Sequence, residues 1–297
     1  MKQVKKIAII GGTHGNELTG VHLIQKFKMA PHLVKRESFE TLVMHSNEKA
    51  IQACRRYIEK DLNRCFSIKG LADLSQNSYE DLLAKALNQK LGPKGSSTPK
   101  MDFIVDLHST TSNMGLSVII DNENELTWQV VAYLQQKMPQ VKIFKWHGDT
   151  EETSFLHTVA PNGFAIEVGA VPQGVLRADL FFETEKLLSH LLDFFELLNC
   201  GKLKKFTETV EVYSNKCLVD FPRDKEGNIT AMVHPDLQDT HYQMVQKGDP
   251  LFLSFEGEPI VYEQEETVYA VFVNEAAYYE KGFAMCLSRK ERVALPS

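Results

Sequence analysis

Residues 5–20, KKIAIIGGTHGNELTG, carry the pattern that decides the fold of the first part of the chain. The apolar run KKIAII predicts a buried strand, the two glycines after it predict a tight turn, and the following residues predict a helix. His14 and Glu17 are three positions apart, so a helix that opened at the turn would hold both side chains on one face. This stretch therefore predicts a strand, a turn and a helix, together with two of the ligands of a metal site.

A second apolar run, MDFIVDLHST at residues 101–110, predicts a neighbouring strand that ends near His108. Two imidazoles and one carboxylate suit zinc with an open fourth position, which is typical of hydrolytic rather than structural zinc. A lone His-x-x-Glu is a weak signal, and the strand-end histidine strengthens it. We therefore predict a metal site formed by His14, Glu17 and His108.

The amino-acid composition limits the classes of protein to which this chain can belong. The chain has 297 residues, of which 43% are hydrophobic, so it can bury a substantial core. Its formal net charge of -6 argues against a broad nucleic-acid surface, and no apolar stretch approaches the roughly 18 residues of a spanning helix. The N-terminus does not read as a signal peptide, and five cysteines without close CxxC spacing predict free thiols. We expect a cytoplasmic protein that binds neither nucleic acid nor membrane.

The pattern of apolar and turn-forming residues changes near residue 204. Before it, short apolar runs alternate with helical patterns, which predicts an α/β domain with a mixed sheet covered by helices on both faces. The last of these helices is predicted from about Glu183 to Asn199. After it, short β-branched segments bounded by turns predict a small antiparallel β domain. The predicted domains are therefore residues 1–203 and 204–297.

Glu167 and two arginines are the other candidates for chemistry. Glu167 interrupts the apolar strand pattern of FAIEVG, where it is either a general base or a buried carboxylate paired with an arginine such as Arg177. Arg56 and Arg64 flank the turn KDLNR, and an arginine can polarise a carbonyl oxygen or bind a carboxylate through two hydrogen bonds. Arginines are also commonly solvated, so both interpretations of each residue stay open at this point.

Six segments of the chain carry a family resemblance when they are taken in order. They are GGTHGNELTG (11–20), CRRYIEKDLNR (54–64), DLHSTTSNMG (106–115), FAIEVG (164–169), PQGVLRADL (172–180) and VFVNEAAYYEK (271–281). The chain resembles the aspartoacylase/aminoacylase 3 family, zinc amidohydrolases of the carboxypeptidase-like superfamily. The resemblance implies a zinc-carboxypeptidase-like mixed sheet flanked by helices, followed by a smaller antiparallel β domain that caps the active site.

The resemblance also implies a role for each matching residue. His14, Glu17 and His108 would bind one zinc ion, Glu167 would be the general base and proton shuttle, and Arg56 would stabilise the oxyanion. Three further residues would bind substrate, the first two through its α-carboxylate: Asn63, Arg64 and Tyr278. The implied activity is hydrolysis of N-acyl amino acids, most simply of N-acetyl-L-aspartate to acetate and L-aspartate.

One departure from the family pattern bears on the substrate. Aspartoacylase has an arginine ten residues before the catalytic glutamate and a tyrosine four residues before that, where this chain has His157 and Thr153. His147 or Lys145 could substitute for that arginine, and the other interpretation of His157 is an exposed loop histidine. A cation-poor pocket would favour N-acetyl aromatic or S-substituted amino acids, as in aminoacylase 3.

Several expectations remain open at the level of sequence. The partner is expected to be a small anionic N-acyl amino acid, and the aromatic segment LFFETEK (180–186) could support a homodimer. Asp106 could orient a ligand imidazole, and Asp61 could pair with the arginines. The more distant alternatives are a succinylglutamate desuccinylase and a zinc-containing binding protein without catalysis.

Overall fold

The computed structural model describes residues 1–146, 152–206 and 209–295. Its strands in these ranges are β1 (Lys6–Gly11), β2 (Glu40–His45), β3 (Phe103–Ser109), β4 (Gly115–Ile120), β5 (Lys142–Lys145), β6 (Gly163–Gly169), β7 (Thr209–Val219), β8 (Ala231–Val233), β9 (Gln243–Val245), β10 (Pro250–Ser254), β11 (Pro259–Val261), β12 (Val268–Val271) and β13 (Met285–Ala294).

Helices connect these strands. The α-helices are α1 (Leu18–Met29), α2 (Glu48–Ala53), α3 (Ile68–Ala72), α4 (Tyr79–Leu91), α5 (Glu125–Lys137) and α6 (Ala178–Asn199). The short 3-10 helices are Pro31–Leu33, Leu62–Arg64, Leu156–Val159 and Ala276–Lys281. Among the described residues, no helix is both long enough and apolar enough to cross a membrane.

A mixed sheet organises the chain. Its strand order is β2-β1-β3-β6-β4-β5-β7-β13-β12-β9, with β2, β1, β3 and β6 parallel to one another and β4 antiparallel to β6. A second, antiparallel sheet has the order β11-β10-β8. This architecture confirms the predicted α/β class, with a large mixed sheet flanked by helices and a smaller antiparallel sheet after it.

The alternation of side chains along each central strand assigns the site to one face of the sheet. In β1, Ile7 and Ile9 belong to the core that packs against α1, α5 and α6, whereas Ala8 and Ile10 belong to the core that includes α4. In β3, Leu107 lies on the first of these faces. Successive residues of a strand point to opposite faces, so Asp106 and His108, the neighbours of Leu107, point to the α4 side of the sheet. The candidate ligands lie on that side.

Glycines allow α1 to pack closely on the sheet. Gly12, the first residue after β1, has a φ of +74°, a left-handed conformation that favours glycine. A Cβ on Gly20 would lie 2.8 Å from the carbonyl oxygen of Leu107 in β3. Only glycine therefore lets the first turns of α1 lie against the strand that carries the second candidate histidine.

The C-terminal strands extend the main sheet, which the sequence did not predict. β7 pairs in parallel with β5 and antiparallel with β13, and β12 and β9 follow outward. The predicted boundary between residues 203 and 204 falls between α6 and β7 and remains a prediction. Helix α6 begins at Ala178, five residues before the predicted Glu183, and Leu180 in its first turn already belongs to the buried face of the helix.

Candidate active site

His14 and Glu17 lie in the turn between β1 and α1. The helix begins at Leu18, so the expectation that both residues share a helix face is wrong. Gly15 packs against α2 so closely that an added Cβ would lie 2.0 Å from the Ala50 carbonyl carbon, which holds this segment in a turn instead. The backbone N–H of Glu17 donates to the carbonyl of His14 at 3.3 Å and brings the two side chains together.

The three predicted ligands converge, and all three are buried. His14 Nδ1 lies 2.6 Å from Glu17 Oε1, and His108 Nδ1 lies 3.0 Å from Glu17 Oε2 and 3.2 Å from His14 Nδ1. One nitrogen or oxygen from each residue lies within 4.8 Å of the others. His108 reaches this point because β3 is the parallel neighbour of β1, as the two apolar runs predicted.

Two aspartates set the orientation of the imidazoles. His14 Nε2 lies 2.9 Å from Asp61 Oδ1, and His108 Nε2 lies 2.8 Å from Asp106 Oδ2. A carboxylate accepts hydrogen bonds only, so each Nε2–H donates to its aspartate and each Nδ1 faces Glu17. Without a metal, a proton on Nδ1 can make the contact with the Glu17 carboxylate, and a metal ion would take the place of these protons and bind the Nδ1 lone pairs and the carboxylate together. The donor set therefore fits a metal ion.

The cluster carries strongly perturbed charges. Burial by itself raises the pKa of Glu17, but the charges of His14 and His108 and their hydrogen bonds hold it far below its ordinary value. Asp61 behaves in the same way: burial opposes ionisation, whereas His14 and Arg56 lower its pKa. Both carboxylates are thus kept as anions at the centre of the site.

Arg56 is part of this cluster rather than a solvated arginine. It donates to Glu17 Oε1 at 3.1 Å and to Asp61 Oδ2 at 3.3 Å. Its Nε is buried and has no partner within the described residues. Burial lowers the pKa of Arg56, but the two carboxylates outweigh burial and raise it. Arg56 is therefore a fixed cation whose Nε–H has no partner among the described residues.

Glu167 lies on β6 directly beside His108 of β3 in the strand register. The alternative pairing with Arg177 is wrong, because Arg177 binds Asp179 and the carbonyl of Ala170. Burial raises the pKa of Glu167 to about 8, opposed by the charge of His108. A carboxyl group with such a pKa can exchange a proton near neutral pH, as a general base requires.

One cavity of about 240 Å³ collects the remaining predicted residues. It is lined by His14, Arg56, Asn63, Arg64, Glu167 and Tyr278. Asn63 and Arg64 belong to the 3-10 helix Leu62–Arg64, and Tyr278 comes from the 3-10 helix Ala276–Lys281 of the C-terminal part. Arg64 also stacks over Phe155, with 5.1 Å from its guanidinium carbon to the ring centroid.

Glu275 is a buried residue of the site that sequence reasoning missed. Its Oε2 accepts hydrogen bonds from Thr110 Oγ1, the Thr111 backbone N–H at 2.6 Å and the Ser112 backbone N–H at 3.2 Å. It thereby ties the loop after His108 to the helix that carries Tyr278. The only signal was its place in NEAAYYEK, where a glutamate before a short helix predicts a cap, and its side chain does accept from the Ala277 N–H.

Apart from His157 and Lys281, the rest of the cavity wall is apolar and largely aromatic. Its apolar residues include Ile119, Trp146, Phe155, Phe272 and Phe283. Sequence reasoning did not identify these residues, because they come from five separated segments and carry no motif. The wall gives the cavity a polar end beside the metal ligands and an apolar surface for the remainder of a bound molecule.

Four residues were considered for the place of the aspartoacylase arginine and tyrosine, and they lie in different surroundings. His157 is buried at 2% exposure and lines the cavity, so its interpretation as an exposed loop histidine is wrong; the loop folds under Phe155, whose ring stacks on it. Thr153 uses its carbonyl to accept from Lys94. Lys145 pairs with Glu123 at 3.2 Å. His147 lies outside the described residues.

Comparison with known proteins identifies the relatives of this chain. A family model described as the succinylglutamate desuccinylase/aspartoacylase catalytic domain matches residues 3–195, and one described as the AstE/AspA barrel-sandwich hybrid domain matches residues 208–290. A probable aspartoacylase of Trichodesmium erythraeum (strain IMS101) is 46% identical over 99% of both chains.

Two further relatives are similar over almost their whole length. The N-acyl-aromatic-L-amino acid amidohydrolase (carboxylate-forming) of Homo sapiens is 42% identical over 99% of this chain and 93% of that protein. The crystal structure of murine aminoacylase 3 has a TM-score of 0.94 and 39% identity, and the match covers 100% of this chain and 98% of that one. The murine structure shares the fold of this chain from end to end.

Proposed function

The chain belongs to the succinylglutamate desuccinylase/aspartoacylase family, and we propose from this membership and from its cavity that it hydrolyses the amide bond of N-acyl amino acids. The observation that carries the proposal is the convergence of His14, Glu17 and His108 in a buried cluster beside Glu167. This combination of metal donors and a carboxyl group of raised pKa suits metal-assisted amide hydrolysis.

The metal that we propose is one zinc ion bound by His14, Glu17 and His108. Two imidazoles and a carboxylate leave an open position, as in hydrolytic zinc sites. Bound zinc supplies Lewis acidity, which lowers the pKa of water and polarises a carbonyl group. Its charge would also lower the pKa of the neighbouring Glu167 toward the range in which a base is ionised.

The chain's own residues account for the other steps. Glu167 takes a proton from the attacking water and returns it to the leaving nitrogen. Arg56, whose Nε–H has no partner within the described residues, donates to the carbonyl oxygen as its negative charge develops. Asn63 and Arg64 bind the α-carboxylate of the amino acid, and Tyr278 adds a polar contact from the C-terminal part.

The first candidate substrate is N-acetyl-L-aspartate, cleaved to acetate and L-aspartate. It is supported by the name of the Trichodesmium relative and by the cations of the cavity, where Lys281 joins Arg56 and Arg64. Arg64 can bind one carboxylate of this substrate, and Lys281 is a cation for the second.

The second candidate substrate class is the N-acetyl aromatic or S-substituted amino acids. The specific observation in its favour is the apolar wall formed by residues such as Trp146, Phe155 and Phe283. The name of the human relative supports the same class. An aromatic side chain gains free energy by leaving water for such a wall, whereas a carboxylate loses its hydration there.

The proposal extends to location and assembly. All five cysteines are free thiols, which supports a cytoplasmic location. Phe182, in the segment 180–186, is 59% exposed, which supports a homodimer formed through that segment. Sedimentation of the purified protein would measure the assembly directly, and a single species of 33.7 kDa would contradict the dimer.

A substrate panel on zinc-loaded protein tests the proposed function. We expect release of the free amino acid from at least one N-acetylamino acid, and we expect Glu167→Ala to keep its zinc while turnover falls by several orders of magnitude. Zinc content by elemental analysis accompanies each assay. Near-normal turnover in Glu167→Ala would contradict the assigned base, and a zinc-loaded protein inactive on the whole panel would favour a binding protein without catalysis.

A further inference from the structure

Glu80, the second residue of α4, is a buried carboxylate that the proposed mechanism does not use. It is 0% exposed and lies outside the cavity. Its Oε1 accepts hydrogen bonds from the Ile58 backbone N–H at 2.8 Å and from Asn47 Nδ2 at 3.2 Å. Its Oε2 accepts from the backbone N–H groups of Glu59 at 3.0 Å and of Lys60 at 3.1 Å. Burying a carboxylate is costly without such donors, so these four contacts need an explanation.

The segment that Glu80 holds has no regular structure of its own. Residues 58–60 lie between α2 and the 3-10 helix Leu62–Arg64 and belong to neither. None of their three backbone N–H groups donates to a backbone carbonyl within the described part of the chain. Successive N–H groups that converge on an anion form a nest, and Glu80 supplies the anion. In return, Glu59 Oε2 accepts the backbone N–H of Tyr79 at 2.6 Å, so that helix and segment hold each other.

Both ends of this segment lead into the active site. Two residues before it, Arg56 donates to Glu17 Oε1 and to Asp61 Oδ2. Directly after it, Asp61 accepts from His14 Nε2 at 2.9 Å. The ion pair between Arg56 and Asp61, at 3.3 Å, closes the segment into a loop, and Glu80 fixes the middle of that loop. A displacement of the middle would therefore move Arg56 and Asp61 together.

Glu80 also reaches the turn that carries the first metal ligand. Asn47, which donates to Glu80 Oε1, is 0% exposed, and its backbone N–H donates to the carbonyl of Gly12 at 3.3 Å, two residues before His14. A single carboxylate thus connects α4, the loop between Arg56 and Asp61, and the turn after β1.

We infer that Glu80 is a positioning residue for the proposed hydrolysis. It holds the loop so that Arg56 meets the developing oxyanion and Asp61 orients the ring of His14. An oxyanion donor acts only at the correct distance, and a misplacement of about 1 Å can cost about 100-fold in rate. The inference rests on the proposed function and adds one residue, remote from the cavity, to the same site.

The main test is Glu80→Gln in the zinc-loaded full-length enzyme, assayed with the N-acetylamino acid that the wild type hydrolyses fastest. Glutamine keeps the size of the side chain, but its amide nitrogen cannot accept, so two of the four donors lose their acceptor. We expect kcat to fall about 10-fold to 100-fold while KM changes less than about threefold, because Arg56 acts on charge that develops in the transition state.

Zinc affinity, measured by competition with a chelator, provides a readout besides turnover. Because Asp61 follows the held segment directly and orients His14, Glu80→Gln should weaken zinc binding by about 3-fold to 10-fold. The kinetic assays are run at saturating zinc, and elemental analysis confirms the zinc content of each variant. The two effects are therefore measured separately.

Ser78→Ala is the matched control for a merely structural role of Glu80. Ser78 caps α4 two residues before Glu80, and its hydroxyl accepts from the backbone N–H of Asp81 at 3.2 Å. Loss of the cap weakens the same turn of the helix but leaves the acceptor of residues 58–60 in place. We expect kcat, KM and zinc affinity close to wild type, and a fall in kcat as large as in Glu80→Gln would overturn the inference.

A double-mutant cycle with Arg56→Ala identifies the route of the effect. If Glu80 acts through Arg56, adding Glu80→Gln to Arg56→Ala should change kcat by less than about twofold. If Glu80 only supports the fold, the two losses multiply, and the inference is wrong. Glu80→Asp, which keeps the charge but shortens the side chain, is measured in the same way and replaces Glu80→Gln in the cycle if that variant does not fold.

The outcomes separate this inference from the proposed function. A fall in kcat and in zinc affinity in a folded variant, with the kcat effect absent from the Arg56→Ala background, supports both. Unchanged kcat or zinc affinity, multiplying losses, or failure of both Glu80 variants to fold overturns the role of Glu80 and leaves the proposed function standing. A zinc-loaded wild-type enzyme that hydrolyses no N-acylamino acid overturns the proposed function and the inference with it.

Discussion

Replacing Glu167 by glutamine tests the electrostatics of the cavity, because the amide keeps the shape of the side chain and removes its titration. In the metal-free protein burial raises the pKa of this carboxyl group from 4.5 to about 8. The folded protein therefore binds the proton more tightly than the unfolded chain, and the free energy of unfolding falls as the pH rises from about 4.5 to about 8. Glutamine cannot ionise, so its side chain causes no such fall in the free energy of unfolding.

The size of the effect follows from the two pKa values. At about 1.4 kcal/mol per pH unit between them, the upper limit is about 5 kcal/mol above pH 8. Glu167 keeps partial exposure, and its surroundings relax around a charge, which reduces the cost. We expect Glu167→Gln to raise the free energy of unfolding of the metal-free protein by about 2 kcal/mol above pH 8, within the range of single substitutions, and by much less near pH 5.

Urea unfolding of chelator-treated protein at a series of pH values measures this difference. Glu263→Gln is the matched control, because Glu263 is exposed and the same chemical change there should leave the stability difference small at every pH. A difference between Glu167→Gln and wild type that does not change with pH would refute the reasoning, since it would show that Glu167 titrates alike in the folded and unfolded chain.

Three further substitutions probe the ligands and their supports. His14→Ala should lose bound zinc together with activity, and elemental analysis showing one zinc per chain would contradict its role as a ligand. Asp61→Asn weakens the acceptor on His14 and should lower zinc affinity by about 10-fold to 100-fold, measured by competition with a chelator; unchanged affinity would argue against orientation by Asp61. Glu275→Gln should cost about 1 to 3 kcal/mol of stability and lower kcat, because one of the two carboxylate oxygens becomes an amide nitrogen, which cannot accept from both the Thr110–Ser112 loop and the Ala277 N–H; unaltered unfolding and kcat would show that this tie is dispensable.

The fold could be predicted where side-chain periodicity is strong. The apolar runs KKIAII and MDFIVDLHST were predicted as neighbouring strands, and β1 and β3 are neighbours. The continuation of the main sheet by β7 and β13 could not be predicted in this way. Alternating side chains show that a segment is a strand, but they do not show which edge of which sheet it joins, since that depends on contacts distant in the chain.

Site residues could be predicted where burying a polar side chain costs free energy and so indicates a function. Glu167 within an apolar strand and His108 at the end of another were visible for that reason. The side-chain end of the cavity was not visible, because it consists of apolar residues such as Trp146 and Phe283, which are ordinary in any core. The position of His157 could be counted back from Glu167 in the sequence, but its burial and its pairing with Asp121 could not be predicted, because a single sequence records neither.

The two glutamates of the cavity acquire opposite properties from the same fold. Glu17 accepts hydrogen bonds from Arg56 and from the backbone of Ser109 and faces two imidazoles, so the ionised form is strongly favoured despite its burial. Glu167 receives no hydrogen bond from any described residue, and the charges of Glu17 and Glu275 add to the cost of ionising it. The anionic ligand therefore raises the proton affinity of the neighbouring base. For this reason we expect a substitution that removes the charge of Glu17 to lower the pKa of Glu167 as well as to weaken metal binding, so that ligand and base cannot be tuned independently.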